Sequence, residues 1–250
     1  MKKIIINNKS KLSVLILTLC LILSLSIIYI KYETKNTNHL SPIPAINFDY
    51  SIVETDYNVS DVSAPMMYFN CKFILPYNFS YSPESESILR LTNTENTSMP
   101  AAGILGEQMI NFIDIHCYSK GDPLLNEAFV KEIFDENTDS VKEYYMAYTN
   151  KTVENANKFY SKEQYQILNQ NVDIQYYKSD ENKIIAALLS ELTIAQDSKD
   201  ESTIIRTIYY YREDLSDTYV SVGTNEKMDP VQHYGIQIIN SLKITDIATI

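Results

Sequence analysis

The chain has 250 residues, of which 45% are hydrophobic, and its 32 Asp and Glu against 21 Lys and Arg give a net charge of −11. Six of these basic residues and one acid lie in the first 35 positions, which leaves 15 basic residues against 31 acids, a net charge of −16, for the rest. Binding to nucleic acid depends on Lys and Arg that neutralise phosphates. The charge balance therefore argues against a nucleic-acid partner and indicates an acidic globular domain.

The N-terminus has the pattern of a membrane anchor. Residues 1–11 carry four lysines and no acid, and residues 12–30 follow without a charged side chain. About 20 apolar residues cross a bilayer as a helix, and a short basic segment before such a helix stays in the cytoplasm. We therefore predict a cytoplasmic segment at 1–11, one transmembrane helix at 12–30 and a C-terminal domain outside the cytoplasm.

Two other fates of the apolar segment stay open. A cleaved signal peptide would release the domain as a secreted protein, although the segment is longer than the usual signal core and no small-x-small cleavage site follows it. A lipidated Cys20, as in bacterial lipoproteins, is usually preceded by a small residue, and Leu19 stands there instead. We expect a single-pass protein of the cell membrane, with secretion after cleavage as the alternative.

The rest of the chain divides into a tether at 31–63 and a domain at 64–250. The tether is polar and includes Pro42 and Pro44, a composition typical of linkers. In the domain, alternating or β-branched and aromatic runs predict strands. They lie at residues 68–75, 87–91, 108–118, 173–177, 184–194, 203–212 and 218–223.

Helices are predicted between and after these strands. Asp122 and Pro123 begin the first, because Asp is a frequent N-cap and Pro fits the first helical position. Residues 137–140 form a second start, and the stretch 150–170 is ambiguous between helix and loop. A last helix begins at Asp229. This order predicts an α+β fold, an antiparallel sheet with packed helices, preceded by the transmembrane helix.

Two short patches carry a family resemblance. Residues 73–77 (Phe-Ile-Leu-Pro-Tyr) and residues 239–244 (Ile-Asn-Ser-Leu-Lys-Ile) resemble the opening strand and the closing Ser-aromatic-Lys segment of the PsbP-like fold, with Leu242 in place of the aromatic. That fold is shared by the extrinsic photosystem subunit and related bacterial exported proteins. The Gly-Trp that usually follows the first Pro is missing, since the chain has no Trp. The resemblance implies a fold over residues 66–245 and no functional residue, because the fold hosts binding and assembly roles without a shared active site.

No motif for metal or catalytic chemistry is complete. An EF-hand-like acidic stretch at 135–146 has Ser140 and Met146 where Gly and Glu are required. Five glycines form no phosphate-binding loop, and nucleophile motifs such as Gly-x-Ser-x-Gly are missing. The three histidines have no second ligand at metal-binding spacing; they are His39, His116 and His233. We therefore predict no catalytic residue, no metal and no cofactor.

Tyrosine is the most unusual feature of the composition, with 20 residues against no Trp. In a strand, Tyr209 and Tyr211 share one face and Tyr210 takes the other. Tyr144 and Tyr148 share one side of a predicted helix. Half-buried strands favour aromatics in any case, but tyrosine also suits contact surfaces and sugar stacking. The candidate binding face therefore consists of Tyr209, Tyr211, Tyr144 and Tyr148.

Cys71 and Cys117 both fall on the apolar phase of predicted strands. One alternative is a disulfide that joins the two strands, for which the geometry must be right. The other is a pair of buried thiols that act as small hydrophobic side chains. The sequence leaves both alternatives open.

These observations predict a membrane-anchored extracytoplasmic binding or assembly module that is not an enzyme. Its attachment to the membrane would be through residues 12–30, and its partner an envelope protein or a glycan. The alternative is a cell-envelope hydrolase that uses dispersed carboxylates. Two acids with separated pKa values in one pocket would be needed for that chemistry. The candidates lie in polar turns, at Glu84, Glu86, Asp214 and Asp217.

Overall fold

A computed structural model of the chain describes most of the domain. The described residues are 40–55, 67–85, 87–93, 112–117, 121–159, 164–196, 202–224 and 229–249, and the compact unit spans residues 41–250. The predicted anchor at 12–30 lies outside the described residues. Among the helices of the described ranges, none has the length and apolarity that a bilayer span requires.

Eleven strands are present in the described ranges. They are β1 (Leu40–Pro42), β2 (Tyr50–Thr55), β3 (Met67–Pro76), β4 (Phe79–Ser85), β5 (Ile88–Asn93), β6 (Phe112–Cys117), β7 (Tyr165–Lys178), β8 (Ile184–Gln196), β9 (Ser202–Arg212), β10 (Thr218–Thr224) and β11 (Lys243–Thr249). Eight of them form a large sheet in the order β1-β7-β8-β9-β10-β6-β5-β4, and the other three form a small sheet in the order β11-β3-β2. Strand pairing is antiparallel from β7 across to β4 and throughout the small sheet.

Helices cover both faces of the large sheet. They are a 3₁₀ helix (Pro123–Leu125), α1 (Glu127–Phe134), α2 (Thr138–Phe159) and α3 (Asp229–Ser241). The hydroxyl of Tyr211 donates to the carbonyl of Leu124, which places the 3₁₀ helix on the face that carries Tyr211. Gly235 of α3 lies against the ring of Tyr210, on the opposite face. The α+β architecture, a mostly antiparallel sheet with packed helices, is confirmed.

Local capping explains how the first helical region divides. The carboxylate of Asp122 accepts from the backbone N–H of Leu124 at 2.8 Å and caps only the 3₁₀ helix. The amide oxygen of Asn126 accepts from the N–H of Ala128 at 3.0 Å and begins α1. Side-chain oxygens at such positions satisfy N–H groups that have no partner inside the helix. The single predicted start is therefore two starts. The stretch 150–170, predicted as helix or loop, is helical in α2 only to Phe159, and strand β7 begins at Tyr165.

The main core lies between the large sheet, α3 and the small sheet. Its fully buried side chains include Phe73, Leu89, Leu91, Ile113, Ile115, Ile185, Ile208, Val220, Ile236, Ile239 and Leu242. On the other face, side chains of the sheet and of the covering helices are buried too; these include Leu124, Phe129, Ile133, Val141, Tyr145, Leu188, Tyr211 and Tyr219. Because both faces of the large sheet are covered, successive residues of a strand such as β8 are nearly all apolar.

The folded unit begins earlier than the sequence predicts. β2 pairs with β3 along its whole length, from Tyr50 opposite Pro76 to Thr55 opposite Cys71. Its side chains are mostly exposed, so the segment lacks the apolar alternation that identifies a strand. Residues 41–55 of the predicted tether therefore belong to the compact unit. β4 and β11 are two further strands that the sequence analysis does not predict.

Candidate binding cleft

The predicted tyrosine face lies mostly under the helices. Tyr211 is 1% exposed, and Tyr209, half-buried, accepts a hydrogen bond of 3.3 Å from the hydroxyl of Tyr145. Tyr209 and Tyr211 do share a face, as predicted, but the 3₁₀ helix and α2 pack on that face. A binding role for Tyr209 and Tyr211 stays a prediction. Tyr144 is 39% exposed and Tyr148 is half-buried, and a role of these two in binding stays a prediction.

Next to these tyrosines, toward β6, several polar side chains contact one another. The hydroxyl of Tyr219 donates to a carboxylate oxygen of Asp122 at 2.8 Å, and the ring of His116 stacks on that of Tyr219 with centroids 4.2 Å apart. His116 Nε2 lies 3.1 Å from the hydroxyl oxygen of Ser221. Burial lowers the pKa of His116 to about 4, so the ring is neutral near pH 7. Since Ser221 is only 4% exposed, the pair is a packing contact and offers no accessible nucleophile.

Both candidate disulfide residues are buried free thiols in the structure. The sulfur of Cys71 lies 3.3 Å from the hydroxyl oxygen of Thr55. Burial raises the pKa of the Cys71 thiol to about 11 and that of Cys117 to about 12. Of the two alternatives that the sequence leaves open, the structure has the buried thiols.

An open cleft of about 570 Å³ lies between the small sheet, the C-terminal end of α3 and the β7–β8 turn. This volume is in the range of small-molecule sites. Apolar side chains supply much of its lining; they are Ile43, Pro44, Ala45, Ile46, Ile52, Phe73 and Ile74. The polar lining comprises Lys72, Ser179, Asp180, Glu181, Lys183, Gln237, Asn240, Ser241 and Lys243.

The α3 wall of the cleft is held by hydrogen bonds to its neighbours. The hydroxyl of Ser241 accepts from the backbone N–H of Ile74 at 3.0 Å and donates to the carbonyl of Ile238 at 3.0 Å. The side-chain amide of Gln237 donates to the carbonyl of Pro44. These contacts join α3 to β3 and to the segment that precedes β2, so both walls of the cleft are fixed.

The opposite rim is the tight turn between β7 and β8. The N–H of Ser179 donates to the carbonyl of Lys183 at 2.9 Å, and the hydroxyl of Ser179 accepts from the N–H of Lys183 at 3.0 Å. Asn182 has a positive φ of 61°, a conformation that Asn tolerates better than most residues. The turn is therefore well defined, and it places Asp180, Glu181 and Lys183 beside the cleft.

Three lysines meet at the cleft, one from β3, one from β11 and one from the turn between β7 and β8. Lys72 pairs with Glu54 at 3.5 Å, and Lys183 pairs with Glu181 at 2.7 Å. The hydrogen bond from Lys183, together with the nearby charge of Lys243, lowers the pKa of Glu181. With three lysines against two acids, the lining carries a net charge of +1, in a chain whose net charge is −11.

The cleft has no local signature in the sequence, because its residues come from six separate segments between Ile43 and Lys243. The polar turn at 179–183 and the basic residues of β3 and β11 are visible in the sequence, but nothing local indicates that they meet. No group of three or more metal-ligating side chains occurs within the described ranges.

Comparisons with known proteins concern the fold alone. No family model and no curated protein matches this chain. Among solved structures, it is similar to a cyanobacterial PsbP from Synechocystis sp. PCC 6803, at 9% identity and a TM-score of 0.33, over 76% of this chain and 98% of that one. It is also similar to a point mutant of the protein Mog1, at 9% identity and a TM-score of 0.32, over 80% of this chain and 97% of that one. No site residue is transferred to this chain from either protein.

Proposed function

We propose that this protein is a membrane-anchored extracytoplasmic binding module, not an enzyme, and that its ligand occupies the cleft beside α3. The observation that carries the proposal is the cleft itself, which combines an apolar floor with a rim of three lysines. Ligand sites are commonly concave and mostly apolar, with a few polar groups that fix the orientation of the ligand.

The chemistry of the lining favours a ligand with an apolar body and an anionic group. Ile43, Ile46 and Ile52 would contact the apolar part. Lys243 is exposed and can approach an anionic group as a point charge. A carboxylate at the end of a peptide or on a small envelope component has this chemistry. The strongly acidic remainder of the chain makes the cleft the more favourable place for such a group.

The hydrolase alternative lacks a supporting observation within the described residues. Asp214 is hydrogen-bonded to Arg212 at 2.5 Å, and Glu84 lies 3.5 Å from Arg90. A general acid needs a raised pKa, whereas the pKa of Glu181, an acid of the cleft, is lowered by Lys183. The binding role is therefore the better supported proposal.

The proposed class of ligand is tested by measuring the binding of two matched sets of small molecules to the full-length chain in detergent. We would measure thermal shifts and NMR chemical-shift changes with N-acetylated apolar dipeptides that carry a free carboxylate, and with the same dipeptides as amides. The acids are expected to bind and the amides to bind at least tenfold more weakly. Equal binding of acids and amides, or no binding by either, would contradict the proposed ligand class.

Two substitutions locate the binding. Lys243→Gln is expected to weaken the binding of the dipeptide acids and not that of the amides. Lys151→Gln, on the exposed side of α2, is the control, because it makes the same change in charge away from the cleft. An equal effect of both substitutions would indicate a general charge effect and would count against the cleft.

The membrane part of the proposal is tested separately. Protease added to intact cells is expected to degrade the domain, and the chain is expected to stay in the membrane after alkaline extraction. N-terminal sequencing of the mature chain distinguishes the alternatives, because a start beyond residue 30 would establish a cleaved signal.

A further inference from the structure

Within the described residues, β2 is an edge strand with no strand beside its outer peptide groups. The N–H of Tyr77 donates to the carbonyl of Asp49 at 2.9 Å, which makes these two residues a hydrogen-bonded pair. Since such pairs alternate along an antiparallel ladder, Ser51 and Val53 direct their peptide groups to β3. Tyr50, Ile52 and Glu54 therefore direct theirs away from β3.

Two contacts of β3 support this assignment. Pro76, which stands opposite Tyr50, has no N–H to give to β2. The N–H of Ile74, opposite Ile52, is used by the hydroxyl of Ser241 on the other side of the strand. Within the described residues, no strand pairs with the outer edge of β2.

The other three edge strands have features that discourage pairing. β1 is three residues long and ends in Pro42, and β4 contains Pro83 at a register shift. β11 begins with Lys243 and has a register shift after Ile244. Proline, lysine, bulges and short length are the devices by which proteins protect sheet edges. β2 is regular and carries none of these devices; its one charge is Glu54, and its Ile52 is 65% exposed.

The sequence of β2 is compatible with pairing to itself. In an antiparallel arrangement centred on Ile52, each Ile52 lies opposite its counterpart and each Tyr50 lies opposite Glu54 of the second copy. All three outward-facing residues then form hydrogen-bonded pairs, which exchange about six backbone hydrogen bonds. If the pairing were instead centred on Ser51 or Val53, one of the three outward-facing residues in each copy would have no hydrogen-bonding partner within β2 of the other copy.

The charges of β2 also fit a second copy. The two Glu54 side chains would be four positions apart along the pairing, about 13 Å, and each is already paired with Lys72 of its own chain at 3.5 Å. Like charges directly opposite each other would destabilise the pairing of two strands. No such opposition of like charges occurs in this register. We infer that two copies of this chain associate through their β2 edges, which joins the two small sheets into one six-stranded sheet.

Register-specific crosslinking tests this inference in the full-length chain. In a Cys20→Ser background, Ile52→Cys places two cysteines in a hydrogen-bonded pair, with Cα atoms about 5.5 Å apart, within the range of disulfides. Tyr50→Cys lies on the same exposed strand, but its two copies would be about 13 Å apart. Mild oxidation of membranes is expected to convert more than half of Ile52→Cys to a dimer and less than a tenth of Tyr50→Cys.

A mixture of Tyr50→Cys and Glu54→Cys chains provides the positive control, because residues 50 and 54 face each other in the proposed register. This mixture is expected to form a heterodimer. Equal crosslinking at Ile52 and Tyr50, or no Ile52→Cys dimer although that thiol reacts with maleimide, would overturn the inference.

The oligomeric state gives a second readout. Ile52→Lys places a charge on the edge strand, so it is expected to convert the dimer in detergent to a monomer. A wild-type chain that is monomeric in detergent would also overturn the inference. The cleft proposal is tested independently of this result, since the selective loss of binding in Lys243→Gln does not depend on the oligomeric state.

Discussion

The guanidinium of Arg212 donates a hydrogen bond of 2.6 Å to the main-chain carbonyl of Ile239. A second bond, of 2.9 Å, reaches the carbonyl of Asn240. Arg212 is only 3% exposed, and a cation at this position satisfies carbonyls that have no partner inside α3 and complements the helix dipole. One side chain of β9 thereby fixes the end of the helix that forms a wall of the cleft.

Arg212→Gln is expected to lower the free energy of unfolding by about 3 kcal/mol, since buried carbonyls lose a charged donor. Arg212→Lys keeps the charge but not the planar fork, and should cost less. Urea denaturation followed by circular dichroism measures both. If Arg212→Gln unfolds at the same urea concentration as wild type, the proposed role of this contact is wrong.

Gly235 is a position where α3 approaches the sheet closely. A Cβ atom there would lie 2.5 Å from ring atom Cε2 of Tyr210 and 2.5 Å from Cγ2 of Val222. Alanine favours helices by about 1 kcal/mol over glycine, but overpacking costs about 1–3 kcal/mol. We therefore expect Gly235→Ala to be neutral or destabilising by up to about 2 kcal/mol, as measured by urea denaturation.

The close contact is checked with a double-mutant cycle. Val222→Ala removes one of the atoms that the new methyl group would meet, so the combined substitutions should cost less than the sum of the single ones. Strict additivity, or a clear gain in stability from Gly235→Ala alone, would show that this packing is looser than described.

His116 makes stability depend on pH. Its pKa is lowered from 6.5 to about 4 in the folded chain, so below pH 6.5 the unfolded chain binds a proton that the folded chain does not. Stability is therefore lost as pH falls from 6.5 toward 4, by about 2 kcal/mol between pH 7.5 and pH 5. The free energy of unfolding should therefore fall by about 2 kcal/mol more in wild type than in His116→Gln between pH 7.5 and pH 5. Unfolding curves of both chains at the two pH values measure this difference. Parallel curves would mean that His116 is protonated in the folded chain.

The two core thiols should be unreactive in the folded chain. Burial raises the pKa of Cys71 to about 11 and that of Cys117 to about 12, and thiolate is the reactive form. In a Cys20→Ser background, maleimide at pH 7.5 is expected to label neither residue until denaturant is added, and then both. A chain about 2 Da lighter that labels only after reduction would instead establish the disulfide.

The sequence is informative where the structural cause is local. The alternation of residues 209–211 correctly assigns Tyr210 to one face of the sheet and its neighbours to the other, and Asp122 and Asn137 mark real breaks near helix starts. Apolar periodicity also predicts α3 and most strands of the large sheet. These features depend on side-chain direction and capping, which act over a few residues.

The missed features depend on contacts between distant segments. β2 becomes a strand because β3 lies beside it, and Pro83 gives β4 the appearance of a loop. Tyr211 is buried because the 3₁₀ helix packs over it, which no local pattern indicates. The cleft has the same origin, as its lysines are brought together by β3, by β11 and by the turn between β7 and β8.

The central claim is that the cleft beside α3 binds a ligand outside the cytoplasm, and photocrosslinking in cells tests it most directly. A benzophenone amino acid would replace Ile46, which lines the cleft and is 42% exposed, and, as a control, Lys151 on the exposed side of α2. We expect one adduct from position 46 that is lost on Lys243→Gln, and none from position 151. Equal adducts from both positions, or no adduct from position 46, would contradict the binding role of the cleft.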